Sequence, residues 1–165
     1  MAVGPLLCPD RGDWLAIGGY DIAMRVMSSA TNDAYSVAEY RLEPRRLVPP
    51  HTHAREQEVS YVLKGELALR IGDTEIAATP GCIVVKPVGV PHTFWNPTER
   101  SVRVLEIISP GGFDSYFREL AALYTDDRLP EPHAVADLRD RYGVTAHPEW
   151  IDDLKTRHGL KLLGE

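Results

Sequence analysis

The sequence predicts a mainly β protein, a sandwich or barrel of short strands with a helical extension at its C-terminal end. Three observations lead there. Up to about Pro110 the chain runs in short stretches that alternate apolar with polar residues, rich in β-branched side chains and cut by Gly and Pro. After Gly112 the apolar residues fall instead at three- and four-residue steps, the period of a helix. The length of 165 residues, with 44% hydrophobic and 25% charged, suits one globular domain that can bury a core without cross-links.

Taken in order, alternation places half-buried strands over residues 21–27, 35–42, 58–71 and 102–108. The stretches between them carry turn chemistry: Ser29 to Asp33, Pro49-Pro50, Gly72-Asp73, Pro80-Gly81, and Pro87 to Pro91 with Gly89 inside. Many short strands joined by tight turns close into a sandwich or barrel. Ser109-Pro110-Gly111-Gly112 marks the boundary, so residues 1–112 form the β part and residues 113–165 the helical extension packed on it. There Phe113, Tyr116, Phe117, Leu120 and Leu123 share one helix stripe. A second helix spans about 134–142 and stops at Gly143, where the lack of a Cβ suits a left-handed cap. A third has Pro148 near its start and Gly159 just past its end.

Charge and composition exclude several classes of partner. The net charge of −6 gives no basic field for nucleic acid or an anionic membrane. The tail from residue 113 onward has 7 Lys plus Arg against 11 Asp plus Glu, which argues against a DNA-reading appendage. Two cysteines, Cys8 and Cys82, are too few for a disulfide framework. Residues 1–13 lack the basic start and long apolar run of an export signal. The expectation is a cytoplasmic protein in a reducing compartment.

The chemistry gathers around three histidines. His51 and His53 stand two apart in Pro-Pro-His-Thr-His, and on an extended strand such residues point the same way. Glu58 follows at the start of the strand that ends in Gly65, and His92 lies in the second Gly- and Pro-punctuated run. Three imidazoles and a carboxylate suit one divalent first-row transition metal, with room for water or substrate. Fe, Mn, Ni, Co, Zn and Cu all accept such donors. An isolated His-x-His would more often be surface decoration, but the surrounding pattern argues otherwise.

That pattern resembles the two signature motifs of the cupin family. The first, over residues 45–65, is met by His51, His53, four intervening residues, Glu58, six more, and Gly65, with Arg45 standing where the family has a leading Gly. The second, over residues 81–96, is met at every position by Gly81, Pro87, Gly89, His92 and Asn96. The resemblance covers about residues 21–109 and implies a small jelly-roll β-barrel with the metal inside. Within the family, the ligand set and the Ser-Pro-Gly-Gly-Phe junction are similar to small bacterial proteins described as quercetin-dioxygenase-like.

The resemblance therefore implies a metal-dependent dioxygenase acting on an enol or phenol, with a small molecule and O2 as its partners and Glu58 as both ligand and catalytic base. The alternatives are a non-redox cyclase, isomerase or lyase in secondary metabolism, and a small-molecule-binding barrel without catalysis. Alternation puts Phe94 on the ligand face as a wall of the substrate pocket and Trp95 on the other face. Tyr40 is a second pocket candidate, although Tyr40, Arg70 and Glu106 each also fit a solvent face or barrel rim. Glu56 reads as a solvated loop residue, Cys82 as a small buried hydrophobe, and His133, His147 and His158 as structural or solvated. A homodimer is expected, because a barrel edge or the helix stripe needs cover.

Overall fold

In the computed structural model, residues 14–124 and 129–165 are described, and Cys8 with the rest of residues 1–13 lies outside them. The strands are β1 (Leu15–Ala16), β2 (Tyr20–Val26), β3 (Ser36–Leu42), β4 (Arg46–Leu47), β5 (His51–His53) and β6 (Gln57–Lys64). They continue with β7 (Leu67–Ile71), β8 (Thr74–Ala78), β9 (Ile83–Lys86), β10 (His92–Trp95) and β11 (Val102–Ser109). The tail then gives α1 (Asp114–Leu123), α2 (Pro132–Tyr142), β12 (Val144–Ala146), α3 (Ile151–His158) and β13 (Lys161–Leu162). Among the described residues no helix is long and apolar enough to cross a membrane.

The strands form two sheets that face each other as a jelly roll. One has the order β1-β2-β3-β11-β6-β9, and the other runs β12-β5-β10-β4-β13 with β7 and β8 joined through β10. Alternation does the sorting. In β11, Val102, Val104, Glu106 and Ile108 turn inward while Ile107 and Ser109 stay exposed, and in β9 Val84 and Lys86 turn inward while Ile83 and Val85 face out. The interior is apolar at one end, where Ile22, Leu42, Val62, Leu67, Leu69 and Val104 are all fully buried. At this size such burial is the main stabilising term.

Arg45 takes φ +58°, the left-handed conformation that a glycine would adopt most freely, so the turn before β4 forms without the motif's Gly. Its guanidinium reaches Glu99 at 2.8 Å. Asn96 holds the other side of this corner: its side-chain amide donates to the carbonyls of Leu42, Glu43 and Arg100.

The tail wraps the barrel and contributes strands of its own. Gly143 and Gly159 cap α2 and α3 at φ +66° and +63°, left-handed as their positions in the sequence predict. β12 then pairs with β5, and β13 runs parallel to β4. These two strands are the difference from a purely helical extension. The α3 side packs on the outer face of the second sheet, where Leu154 and Leu160 cover Leu47, Ala68 and Trp95. The α1 stripe, with Phe113, Tyr116 and Phe117 buried, joins the main core instead. Ser28 secures the start of α1: its hydroxyl donates to the Asp114 carboxylate and accepts from the Gly112 N–H.

Candidate metal centre

β5, β6 and β10 bring His51, His53, Glu58 and His92 together. His51 and His92 are direct cross-strand partners, and His53 follows two residues along the same face of β5. The ring centroids of His51 lie 4.9 Å from His53 and 4.6 Å from His92. One ligand atom from each of the four residues lies within 4.8 Å of all the others. His53, His92 and Glu58 are 1%, 1% and 5% exposed, so this convergence is inside the barrel and not on its surface.

The rings are aimed from behind. His51 Nδ1 lies 2.7 Å from the Pro49 carbonyl and His92 Nδ1 3.0 Å from that of Val90. A carbonyl only accepts, so each Nδ1 carries the proton and each Nε2 turns a lone pair toward the centre. Burial, followed by the neighbouring His92 and His53, holds the His51 pKa well below the usual histidine range, which keeps that lone pair free. His53 Nε2 stands 3.5 Å from Glu58 Oε1 and His92 Nε2 3.3 Å from Glu58 Oε2. The Nε2 atoms of His53 and His92 are buried without a hydrogen-bond partner, while Glu58 Oε2 is met from behind by Lys86. Orphaned acceptors at this density are costly unless something binds them, and a divalent cation satisfies both at once. The residues fit the metal.

Glu56 corrects the sequence reading. It is 2% exposed rather than solvated, because the loop between β5 and β6 folds back and sets Glu56 Oε2 3.5 Å from His53 Nδ1. It is the carboxylate behind the third ring, in the place that carbonyls occupy for the other two.

Behind Glu58 lies a buried network that the sequence reading missed. Lys86 is 1% exposed and its Nζ lies 2.8 Å from Glu58 Oε2 and 3.0 Å from Glu106 Oε2. Ser60 Oγ donates to the same Glu106 oxygen at 2.8 Å. Glu106 therefore faces the interior, not solvent or a rim, as its alternation with Val104 and Ile108 dictates. Burial alone would raise the Glu58 pKa, but the Lys86 ammonium with His53 and His92 outweighs it and holds the carboxylate well below its usual range. Burial prevails at Glu106: against the pull of Lys86, and with Glu58 adding to the rise, its pKa is pushed up to about 7. The signal was present in register, since Lys86 pairs with Glu58 and Glu106 with Ser60 across neighbouring strands.

A cavity of about 660 Å3, open solvent at its mouth included, rises from these groups. His51, His53, Glu58, Lys86 and Glu106 line its polar end. Phe94 lines it too, while Tyr40 lies one layer behind, fully buried and stacked on Phe94 at 5.2 Å, with Tyr20 holding the wall position. Trp95 points away under α3. The remaining wall comes from the tail: Phe113, Tyr116, Phe117, Leu120 and Tyr124 on the α1 side and Val135 and Arg139 on α2.

Other candidates lie elsewhere. Cys82 is exposed, not buried, since its backbone is engaged at the turn entering β9 and leaves the thiol outside. Arg70 is half-buried with its guanidinium 3.8 Å above the Trp150 ring. His147 meets Thr52 and Glu149, His158 meets Glu75, and His133 is exposed.

Comparison with known proteins agrees with this fold. Residues 38–108 match the family described as Cupin domain. The structure is similar to that of KdgF from Halomonas sp., at 18% identity and a TM-score of 0.62, over 68% of this chain and 99% of that one. It is also similar to the polyketide cyclase RemF from Streptomyces resistomycificus, at 22% identity and 0.57, over 65% of this chain and 80% of that one. A sugar phosphate isomerase of the cupin superfamily from Silicibacter pomeroyi matches at 22% identity and 0.56, over 64% of this chain and 75% of that one. At these identities the likeness is one of fold. No curated protein sequence matches the chain.

Proposed function

We propose that this cupin-domain protein is a mononuclear metal-dependent enzyme that deprotonates an enol or phenol of a small conjugated molecule, as the opening step of a dioxygenase reaction. The observation that carries the reading is the set of four converging ligand atoms, two of them imidazole nitrogens buried with no hydrogen-bond partner, at the floor of a mostly apolar cavity. A divalent ion held by His51, His53, Glu58 and His92 would lower the pKa of a substrate oxygen and bring O2 beside it.

The chain's own residues supply the proton chemistry. Glu58 is ionised at neutral pH and stands at the centre, so a carboxylate oxygen is available as base. Lys86 donates to Glu58 Oε2 and to Glu106 Oε2, and so fixes the direction in which Glu58 presents its other oxygen. With its pKa near 7, Glu106 can hold a proton under working conditions, giving the buried network a place to store one. Phe94, Phe113 and Phe117 wall the space above and keep it dry.

The same Lys86 and Glu106 pair favours a second reading, a non-redox cyclase or isomerase, since proton storage beside the base serves that chemistry without O2. One experiment separates the two. Metal-loaded protein is given a panel of flavonols and β-diketones while O2 and substrate are followed together. The dioxygenase reading expects O2 uptake matched to substrate loss, and Glu58→Gln retaining its metal while turnover falls about 10²- to 10⁴-fold. Equal turnover without O2 selects the second reading. Normal turnover by Glu58→Gln with full metal removes Glu58 as the base.

A further inference from the structure

The cavity's outer wall contains one cation whose pairing differs from that of its neighbours. Arg139 lines the cavity from α2, half-buried, and among the described residues it has no carboxylate partner. Arg141, two residues on, pairs with Glu119, and Arg157 pairs with both Glu75 and Asp153. The group that Arg139 does meet is the Tyr116 hydroxyl. Burial pushes the Tyr116 pKa up against the opposing guanidinium, so the phenol stays protonated and able to donate. Val135 stands one turn before Arg139 on the same helix face, and Phe117, Leu120 and Tyr124 complete an apolar and aromatic surround.

We propose that the substrate carries a carboxylate, and that the Arg139 guanidinium, with the Tyr116 hydroxyl, binds it at the tail-built end of the cavity whose floor holds the metal ligands. The inference rests on the reading of this cavity as a substrate site. A guanidinium offers parallel N–H donors that match a carboxylate in two-point contact, and the aromatic surround strengthens that contact by excluding water. The charge match selects the anion. Among the described residues of the outer wall Arg139 is the one cation, and a single guanidinium balances one negative charge, as a carboxylate has, and leaves a phosphate dianion half uncompensated. The body between the two ends is flat and conjugated, because aromatic rings from both barrel and tail line the passage.

The test uses the full chain loaded with its metal and three matched pairs of probes: para-hydroxybenzoate, para-hydroxyphenylacetate and para-hydroxycinnamate, each against its methyl ester. Affinities are read by calorimetry. At least one acid is expected to bind about 10- to 100-fold more tightly than its ester. In Arg139→Met this preference should shrink to within about threefold, with Arg139→Lys keeping part of it. A thermal melt shows that each variant is folded. No acid preference in any wild-type pair overturns the proposal, as does a preference that Arg139→Met leaves unchanged, since the carboxylate would then sit at the metal. Elemental analysis and a repeat on metal-stripped protein separate this failure from that of the metal reading. A chain that never holds an ion yet keeps its Arg139-dependent preference defeats only the metal reading. Stoichiometric metal without acid preference defeats only this one.

Discussion

Removing the Glu56 carboxylate tests whether the residue behind His53 matters to the metal. Glu56 Oε2 lies 3.5 Å from His53 Nδ1 and both side chains are at most 2% exposed, so water is a poor substitute. Loss of such an outer partner commonly costs about 10- to 100-fold in metal affinity. The separation exceeds a normal N–H···O distance, which places the effect near the lower end, about tenfold or about 1.4 kcal/mol. Glu56→Ala should show it in full, because His53 Nδ1 loses its orienting acceptor. Glu56→Gln should show less, because an amide oxygen can still accept and only the charge is gone. The assay is a competition titration of stripped protein against a chromophoric chelator with Zn2+, with a thermal melt of the apo forms beside it. If Glu56→Ala binds within twofold of wild type, the carboxylate does not orient His53.

Two further outcomes follow from the sheet that holds β3 and β9. Glu39 is buried and accepts from Arg25 and Arg103, and these partners outweigh the effect of burial and lower its pKa. A lowered native pKa gives stability that is present above the ordinary carboxylate range and lost as pH falls through the native value. Glu39→Gln should therefore destabilise at pH 7 by about 1–2 kcal/mol, with half-exposed Arg103 limiting the size, and flatten the loss of stability below about pH 4.5. An acid denaturation series in which wild type and variant run parallel would count against this. We also propose that a second copy covers β9, which among the described residues pairs only with β6 and leaves Ile83 66% and Val85 48% exposed beside Tyr61 and Ile107. Light scattering should give a dimer mass at micromolar concentration and a monomer for Ile83→Lys with Val85→Lys; a monomeric wild type removes the idea.

What the sequence made legible was set by how local the cause is. Alternation needs only a few neighbours, so the strand faces, the inward Phe94 and the outward Trp95 could be read directly. Gly143 and Gly159 announce helix ends for the same reason. Glu106 and Lys86 were legible by position and obscured by chemistry: both occupy inward slots of their strands, yet a charge inside a strand is normally assigned to solvent. Only the partner reverses that, and the Glu58, Lys86 and Glu106 partnership depends on register between strands far apart in sequence. Glu56 was hidden by a loop that doubles back over His53. β12 and β13 are three and two residues long, too short to show a period, and exist because β5 and β4 offer them an edge.

The division of the cavity between barrel and tail bears on what such a protein selects. Its floor comes from strands within residues 38–108, the part that matches the Cupin domain, so the four candidate metal ligands all lie within that match. The outer wall comes from Phe113, Tyr116, Phe117, Leu120, Tyr124, Val135 and Arg139, all beyond that match. Strands fix the floor: His51 and His92 are locked as cross-strand partners, and a one-residue slip would turn both rings out of the barrel. Helices impose no such lock. Apart from Phe113, whose ring meets His53 at 4.6 Å, a side chain of this wall can change and alter the cavity without touching a candidate metal ligand. On the function and the acid site proposed above, chemistry and specificity would be carried by separable parts of one chain, with the preference for an acid set in the tail.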